Sequence, residues 1–322
     1  MNRDFKKKAV SFLQDLVRIK SYVIEHGLDG KEEKIQRAIA KKLTALGCEV
    51  STFIPDNNLM KKSKYFTTGH RYRNRPNVVG VLKGEGRGRS ILLNGHVDTM
   101  PPGDLSLWKV PPFKAKIIGN RLYGNGSTDM KAGVAAMIMA VELIREMGIK
   151  PGGDIIIESV VDEEGGGNGT LDCTLRGIRA DAAIVLEPTE LAVHYGHMGC
   201  ILMEIKVKGK SIHACMREYG VNAIDRIIPF YQGLKELEKK WEAQYPVGEF
   251  PSPSAVIGEL HGGEAATKVP GEAVLRCDIH FLPSQKKSEI KNEVSQLIRE
   301  IAEKEHTKPK IRFYQHVDPY KV

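Results

Sequence analysis

The sequence predicts an α/β protein, with a mixed, mostly parallel sheet flanked by helices and a smaller α+β unit after it. Short, continuous apolar runs such as DIIIESVV at 154–161 are typical of strands buried on both faces of such a sheet. Stretches with helical periodicity alternate with these runs, as in layered α/β domains. At 322 residues the chain is longer than one typical hydrophobic core requires, so we expect two domains.

The composition is that of an ordinary globular protein. Hydrophobic residues make up 41% and charged residues 27%, and the net charge of +8 is a modest basic excess. No stretch is long and apolar enough to span a membrane, and residues 1–20 lack the apolar core of a secretion signal. The five cysteines are scattered, without a C-x-x-C pair, as is typical of reduced thiols. We therefore expect a cytoplasmic protein that does not contact membranes.

Residues 1–198 carry the pattern of the layered domain. Two helices begin it, and the second ends before Gly47, a residue type that favours the left-handed conformation after helix ends. The predicted helices are 3–19, 31–46 and 130–148, and the predicted strands are 77–82, 90–95, 154–161 and 182–187. Because ligands of such sheets bind beyond the carboxyl ends of the strands, polar residues at those ends are the first candidates for a site.

A different pattern begins at residue 199. Its elements follow the order strand, helix, strand, strand, helix, strand, which is that of the ferredoxin-like motif. The predicted strands are 200–209, 254–260, 273–282 and 310–315, and the predicted helices are 221–241 and 288–305. We therefore expect residues 199–315 to form a second domain.

The densest basic stretch is KKSKYFTTGHRYRNRPN at 61–77. An anionic substrate or a nucleic acid would suit its charge, but an exposed loop is the preferred interpretation. No recognisable nucleic-acid-binding motif accompanies it, so we expect no nucleic-acid partner.

Residues of the kinds that bind metals follow predicted strands. His96 comes directly after the strand 90–95, and Asp98 stands two residues further on. A carboxylate commonly orients a metal-binding histidine through its other ring nitrogen. Asp129 stands where a glycine-rich turn enters the helix 130–148. Taken singly, His96 is also explained as a structural hydrogen-bonding residue and Asp129 as a helix N-cap.

Carboxylates crowd two further positions. Asp162, Glu163 and Glu164 are adjacent in SVVDEEGGGNGT at 159–170, and Glu187 ends the strand 182–187. Adjacent like charges repel, and a glutamate at the end of a buried strand is unusual unless it is paired. A parallel sheet would gather these side chains beside His96. One histidine with several carboxylates suits zinc, manganese or cobalt, and two ions sharing a carboxylate would also account for so much charge.

Five motifs together resemble one family. NGHVDTMP, LYGNGSTDMKAG, DEEGGGNGT, LEPTE and GKSIHA followed by GVNAID are similar, in order, to those of the dinuclear zinc hydrolases that include acetylornithine deacetylase, succinyl-diaminopimelate desuccinylase, aminoacylase and carboxypeptidase G. The resemblance implies a zinc-exopeptidase-like catalytic domain and an inserted lid domain. It also implies two Zn²⁺ sites, with Co²⁺ or Mn²⁺ as alternatives, and hydrolysis of an N-acyl amino acid or similar small amide by a metal-activated water.

The resemblance also implies roles for the matched residues near the first metal ion. His96 and Glu187 bind that ion, and Asp98 positions His96. Asp129 bridges both ions and is followed by a cis peptide bond.

The remaining implied roles concern proton transfer and the lid. Glu163 is the general base, and Glu164 binds the second ion. His213 matches a lid histidine that reaches into the site of a partner subunit and polarises the scissile carbonyl. The implied partners are a small N-acyl substrate and a second copy of the chain, bound through the lid domain.

Some positions depart from the family pattern. Asn125 and His280 stand where the family usually has arginine, and Thr267 and Lys268 stand where asparagine is usual. These departures leave the acyl group and the amino acid open.

The family's chain returns from the lid to the catalytic domain and carries a last metal-binding histidine there. Residues 316–322 match only the start of such a return, and His316 follows the last predicted lid strand. We therefore expect one tight and one weak metal site. The alternative function is a truncated homologue that dimerises with little turnover. A cysteine hydrolase that uses Cys215 beside His213 is a further alternative, for which the sequence offers no third partner.

Overall fold

A computed structural model describes residues 3–322, and their side chains except those at 26, 315 and 316. The chain divides into two units between Ala192 and Val193, where the sequence predicts a boundary at residue 198. No described helix combines the length and the apolar character needed to cross a bilayer.

The first unit contains the layered elements. Its α-helices are α1 (Arg3–Arg18), α2 (Glu33–Ala45), α3 (Asn57–Met60), α4 (Lys131–Glu146) and α5 (Asn168–Leu175). Its strands are β1 (Val23–Ile24), β2 (Asp29–Gly30), β3 (Glu49–Phe53), β4 (Asn77–Leu82), β5 (Ile91–His96), β6 (Lys116–Ile118), β7 (Arg121–Tyr123), β8 (Ile155–Val160) and β9 (Ala182–Val185). The helices and strands predicted here agree within about two residues at their ends. The sequence analysis does not predict α3, α5 or the strands β1, β2, β3, β6 and β7.

The central sheet has the order β3-β4-β8-β5-β9. β5 pairs in parallel with both β8 and β9, while β4 pairs antiparallel with β3 and β8. Only β4 therefore runs against the other strands of this sheet, which is mixed and mostly parallel. The carboxyl ends of β8, β5 and β9 consequently meet at one edge.

Helices cover both faces of this sheet, which explains the continuous apolar runs of β4 and β8. On one face, Ile155 and Ile157 of β8 pack in a core with side chains of α1, α2 and α4. On the other face, Ile156 and Val160 pack with Cys173 of α5. Successive side chains of a strand alternate between the faces, so a strand covered on both sides is apolar at every position.

The expectation that the strand 182–187 is buried on both faces is wrong. β9 lies at the edge of the sheet, pairs only with β5 among the described strands, and is exposed at all four residues. Its apolar composition resembles that of a central strand, and only the order of the strands shows that it is an edge strand.

The second unit has the predicted β-α-β-β-α-β order. Its elements are β10 (Gly196–His197), β11 (Gly199–Lys208), α6 (Ala223–Gln244), β12 (Ser254–Gly262), β13 (Glu272–Phe281), α7 (Lys287–Lys304), β14 (Lys310–Val317) and β15 (Tyr320–Lys321). The antiparallel sheet has the order β12-β13-β11-β14. Residues of α6 and α7 share its core with the alternate, buried residues of β11 and β13. The backbone of His316 lies within β14, not after it, and its side chain is outside the described set.

Candidate metal-binding site

His96 is the last residue of β5 and is almost fully buried. Its Nδ1 lies 2.8 Å from the backbone oxygen of Asp98 and 3.5 Å from Asp98 Oδ1. Because both of these oxygens can only accept, Nδ1 carries the hydrogen and Nε2 is left for another partner. Asp98 therefore orients the ring of His96.

Three carboxylates from different segments surround Nε2 of His96. Asp129 Oδ1 lies 3.0 Å away, Glu187 Oε1 lies 3.6 Å away and Glu163 Oε2 lies 3.8 Å away. Among the described residues, His96, Glu163 and Glu187 form the one group whose ligand atoms all lie within 4.8 Å of one another. Glu163, for which the family resemblance implies the role of base, thus belongs to this group, and Asp129 does not.

Asp129 is not a helix N-cap. The capping position of α4 is Met130, whose side chain makes no capping hydrogen bond, and the Asp129–Met130 peptide bond is cis. The Asp129 carboxylate instead reaches His96. The simpler explanation of Asp129 is therefore wrong, because the helix begins two residues later, at Lys131.

Glu164 lies next to this group but is tied to the loop after β5. Its Oε1 accepts a hydrogen bond of 3.2 Å from the backbone N–H of Met100, and its own N–H donates to Asp98 Oδ2 at 3.1 Å. Asp98 thereby connects His96 with Glu164. The carboxylate of Glu163, by contrast, accepts no hydrogen bond from the described residues and keeps 50% of its surface exposed.

A buried cluster of polar side chains holds the turn that carries Glu163 and Glu164. Asp162 is fully buried, and its φ of 69° lies in the left-handed region. The Nδ1–H of His70 donates to Asp162 Oδ1 at 2.8 Å, and the hydroxyl of Tyr72 donates to Oδ2 at 2.6 Å. The amide of Asn168 donates to the same hydroxyl at 2.7 Å. A strained backbone position persists only where its surroundings determine it, as these partners do here.

The interpretation of 61–77 as an exposed loop is wrong for the second half of that stretch. His70, Tyr72 and Arg75 are buried, and Arg75 forms a buried ion pair with Glu32 at 2.8 Å. The sequence reasoning missed these residues because basic composition normally indicates exposure. The signal was the alternation of His70 and Tyr72 in GHRYRNRPN, which places both side chains on one face of an extended segment.

The charge at His96 is strongly coupled to its neighbours. Burial disfavours the charged ring, but the carboxylates of Asp129 and Asp98 outweigh burial and raise the pKa of His96 to about 12. The hydrogen bond from His96 lowers the pKa of Asp129. The site therefore attracts positive charge at Nε2.

The glutamates of the site repel one another. Burial, with the charges of Asp98 and Glu187, raises the pKa of Glu163 to about 7 although His96 opposes the rise. Half of the Glu163 side chain faces solvent, and the carboxylates beside it oppose its ionisation. Burial and the charge of Asp129 raise the pKa of Glu164 to about 7. Burial also raises the pKa of Glu187.

This arrangement fits a divalent metal ion. A histidine nitrogen and carboxylate oxygens are the ligands of zinc, manganese and cobalt sites. Asp98 Oδ1 is buried and accepts no hydrogen bond of good geometry from the described residues. It therefore stays available to the Nδ1–H of His96, as is usual for a carboxylate behind a metal-binding histidine. A cation would also remove the repulsion that raises the pKa values of the glutamates.

Positions that depart from the family pattern have ordinary partners. Asn125 is buried, its Oδ1 accepts from the hydroxyl of Thr99 at 2.7 Å, and its Nδ2 donates to the backbone oxygen of Met100 at 3.1 Å.

Within the second unit, His213 precedes a short 3₁₀ helix, Ala214–Tyr219, and its Nδ1 accepts from the N–H of Cys215. His213 also forms an isolated β-bridge with Lys268.

Comparison with known proteins identifies the family of this chain. The model of peptidase family M20/M25/M40 matches residues 92–316. The chain belongs to this family. The matched range includes every site residue predicted from the sequence, from His96 to His213.

Named relatives share a large part of the chain. N-formyl-4-amino-5-aminomethyl-2-methylpyrimidine deformylase of Halalkalibacterium halodurans is 36% identical over 245 residues, which are 72% of this chain and 57% of that protein. A probable succinyl-diaminopimelate desuccinylase of Staphylococcus aureus strain Mu50 is 27% identical over 252 residues, 70% of this chain and 62% of that protein. The aligned part thus spans less than two thirds of the length of these relatives.

A solved structure confirms the predicted fold class. The dipeptidase Dug1p of Saccharomyces cerevisiae matches with a TM-score of 0.76 at 16% identity, over 99% of this chain and 79% of that one. The mixed α/β sheet and the ferredoxin-like second unit are therefore the fold of this family.

Proposed function

We propose that this chain is a metal-dependent hydrolase that cleaves the amide bond of a small N-acyl compound. The observation that carries the proposal is the convergence of Asp129, Glu163 and Glu187 on Nε2 of His96, within 3.0 to 3.8 Å. The relatives, a deformylase and a probable desuccinylase, support removal of an acyl group. They also favour an enzyme over the alternative of a homologue without turnover.

Two Zn²⁺ ions are the metals we propose, with Co²⁺ or Mn²⁺ as alternatives. His96 and Glu187 would hold one ion, Glu164 would hold the other, and Asp129 would contact both. When bound, such ions supply Lewis acidity and make a shared water acidic at neutral pH. The donor types and their spacing around His96 support this assignment.

Glu163 and Glu164 have different tasks in this proposal. The backbone N–H of Met100 restrains the Glu164 carboxylate, which suits a ligand. The Glu163 carboxylate accepts no hydrogen bond from the described residues, so it can turn between a water and a leaving amine. It takes a proton from the attacking water and delivers it to the amine nitrogen. Asp98 keeps His96 in the tautomer whose Nε2 faces the site.

A panel of N-formyl, N-acetyl and N-succinyl amines, assayed with Zn²⁺, Co²⁺ or Mn²⁺, tests the proposal. The substrate named for the deformylase relative is the first candidate. We expect Glu163→Gln to lower turnover about 10²–10⁴-fold, the usual contribution of a general base, while bound metal is retained. Glu190→Gln is the matched control, because Glu190 is exposed and is not among the site residues. Equal turnover in Glu163→Gln and Glu190→Gln would contradict the role of Glu163.

We also propose a homodimer, formed through the second unit, in which His213 acts on the substrate of the partner copy. The motif SIHA and the unpaired edges of the sheet, β12 and β14, support this arrangement. His213→Ala and Glu163→Gln chains, each inactive alone, should regain activity when mixed, because one site of the mixed dimer has both groups. If mixing restores nothing while a dimer is present by light scattering, the assignment in trans is wrong.

A reducing compartment such as the cytoplasm is the location we propose. All five cysteines are free thiols, and three of them are buried.

A further inference from the structure

A cavity of about 340 Å³ in the second unit is lined mainly by lysine and arginine side chains. The residues that line it are Lys206 and Lys208 of β11, Arg226 of α6, His306, Thr307 and Lys308 before β14, and Lys310 of β14. No carboxylate stands among them. Its volume is in the range of small-molecule sites.

The fold collects these charges from distant parts of the sequence. Lys206 and Lys208 are two residues apart on β11, so their side chains leave the same face of the sheet. Lys310 of β14 is the direct partner of Lys206 across the antiparallel pair. Arg226 is held at the same end because its Nη1 donates to the backbone oxygen of Lys208 at 3.3 Å.

The charges of this cavity are poorly balanced by the protein. Lys206 forms an ion pair with Glu272 at 2.5 Å. None of Lys208, Arg226 and Lys310 has a salt bridge to a carboxylate among the described side chains. Like charges placed directly opposite on paired strands, as Lys206 and Lys310 are, lower stability. A bound anion would offset that cost.

Some other lysines of the same unit are paired with carboxylates. Lys235 contacts Glu238, and Lys240 lies 2.9 Å from Glu293. Lys208 and Lys310 line the cavity without such a partner among the described side chains.

Thr307 adds a neutral donor to the cavity. The residue as a whole is 7% exposed, and its hydroxyl makes no hydrogen bond to the described protein atoms. A threonine hydroxyl among lysines and an arginine is a set of donors that suits phosphate oxygens.

We propose that this cavity binds a small phosphorylated anion with at least two negative charges, of which a pyrophosphate group is the simplest form. A single carboxylate would leave most of these cations without a partner. A nucleic-acid backbone requires cations spaced along a strip, whereas these converge on one concave site. The proposal does not depend on the hydrolase activity proposed above.

Titration calorimetry of the 322-residue chain with sodium pyrophosphate at about 50 mM salt tests this proposal. The chain is prepared without divalent metal, so that pyrophosphate does not bind through ions at His96. We expect one equivalent to bind. Lys208→Gln combined with Lys310→Gln should raise the Kd about tenfold or more, because two charge-assisted contacts are lost.

Two further variants separate a built site from general attraction by net charge. Lys7→Gln combined with Lys239→Gln removes the same charge from exposed positions outside the cavity, and its Kd should stay within about twofold of the original. Thr307→Val keeps the side-chain volume and charge, and it should raise the Kd about threefold without lowering the Tm. Equal weakening in both double variants, or no effect of Thr307→Val, would overturn the proposal. An oligonucleotide that stays bound at saturating pyrophosphate would also overturn it.

Discussion

Replacing Tyr72 with phenylalanine tests whether the buried cluster around Asp162 holds the turn with Glu163 and Glu164. The change removes only a hydroxyl, and it removes two buried hydrogen bonds with it: 2.6 Å to Asp162 Oδ2 and 2.7 Å from Asn168. Burial raises the pKa of Tyr72, so the hydroxyl is a donor at every pH of interest. A hydrogen bond to a carboxylate contributes about 1.5–3 kcal/mol and a neutral one about 1 kcal/mol.

The expected loss of unfolding free energy is therefore about 2.5–4 kcal/mol. Asp162 keeps its contact with His70, and Asn168 keeps its bond to the backbone oxygen of Thr67, so the lower half of that range is favoured. Urea unfolding measures the change as a lower midpoint at an unchanged slope. If the proposed activity is present, turnover should fall more than substrate affinity, since the turn carries the base.

Tyr65→Phe is the matched control. Tyr65 belongs to the same basic stretch, is 53% exposed, and its hydroxyl makes no hydrogen bond to the described residues. Its loss should change stability by less than about 0.5 kcal/mol. If Tyr72→Phe is as stable as Tyr65→Phe, the hydroxyl of Tyr72 contributes nothing to the stability of the turn, and the role given to the buried cluster is wrong.

Two further predictions concern carboxylates. Glu142 is buried, and burial by itself would raise its pKa. The contacts with Lys42 and Lys8 outweigh burial and lower the pKa of Glu142 below the usual 4.5. Because the folded pKa is depressed, its contribution is complete above pH 4.5 and is lost as the pH falls through the folded value. Glu142→Gln should therefore lower the free energy of unfolding by about 1–2 kcal/mol at pH 7 and by much less at pH 3. Urea unfolding at both pH values measures the difference, and an equal loss at pH 7 and pH 3 would contradict this prediction. Glu164→Gln should lower the bound metal measured by plasma mass spectrometry, whereas Glu163→Gln should not, and the reverse result would exchange their roles.

The ion pair between Lys42 and Glu142 lacks a well-aligned hydrogen bond. Its Nζ lies 2.6 Å from Glu142 Oε2, yet that oxygen has no hydrogen bond of acceptable geometry. We treat the contact as an ion pair without a directed hydrogen bond. An ion pair of this kind contributes less than a charge-assisted hydrogen bond, because its geometry is not fixed.

The sequence by itself determined the architecture of this protein. The apolar run at 154–161 predicted a strand covered on both faces, and the order of elements after residue 199 predicted the ferredoxin-like unit. It also placed His96, Glu163 and Glu187 at strand ends. These inferences succeed because backbone periodicity and the position of strand ends are local properties, which a single stretch of sequence specifies.

Only the tertiary structure decided which residues meet. The edge position of β9, the burial of His70 and Tyr72 under the turn at Asp162, and the convergence of Lys208 and Lys310 all join segments far apart in the chain. A basic loop and a buried polar cluster have the same local composition. What separates them is whether a distant carboxylate offsets the cost of burial, and that depends on how the chain folds back on itself.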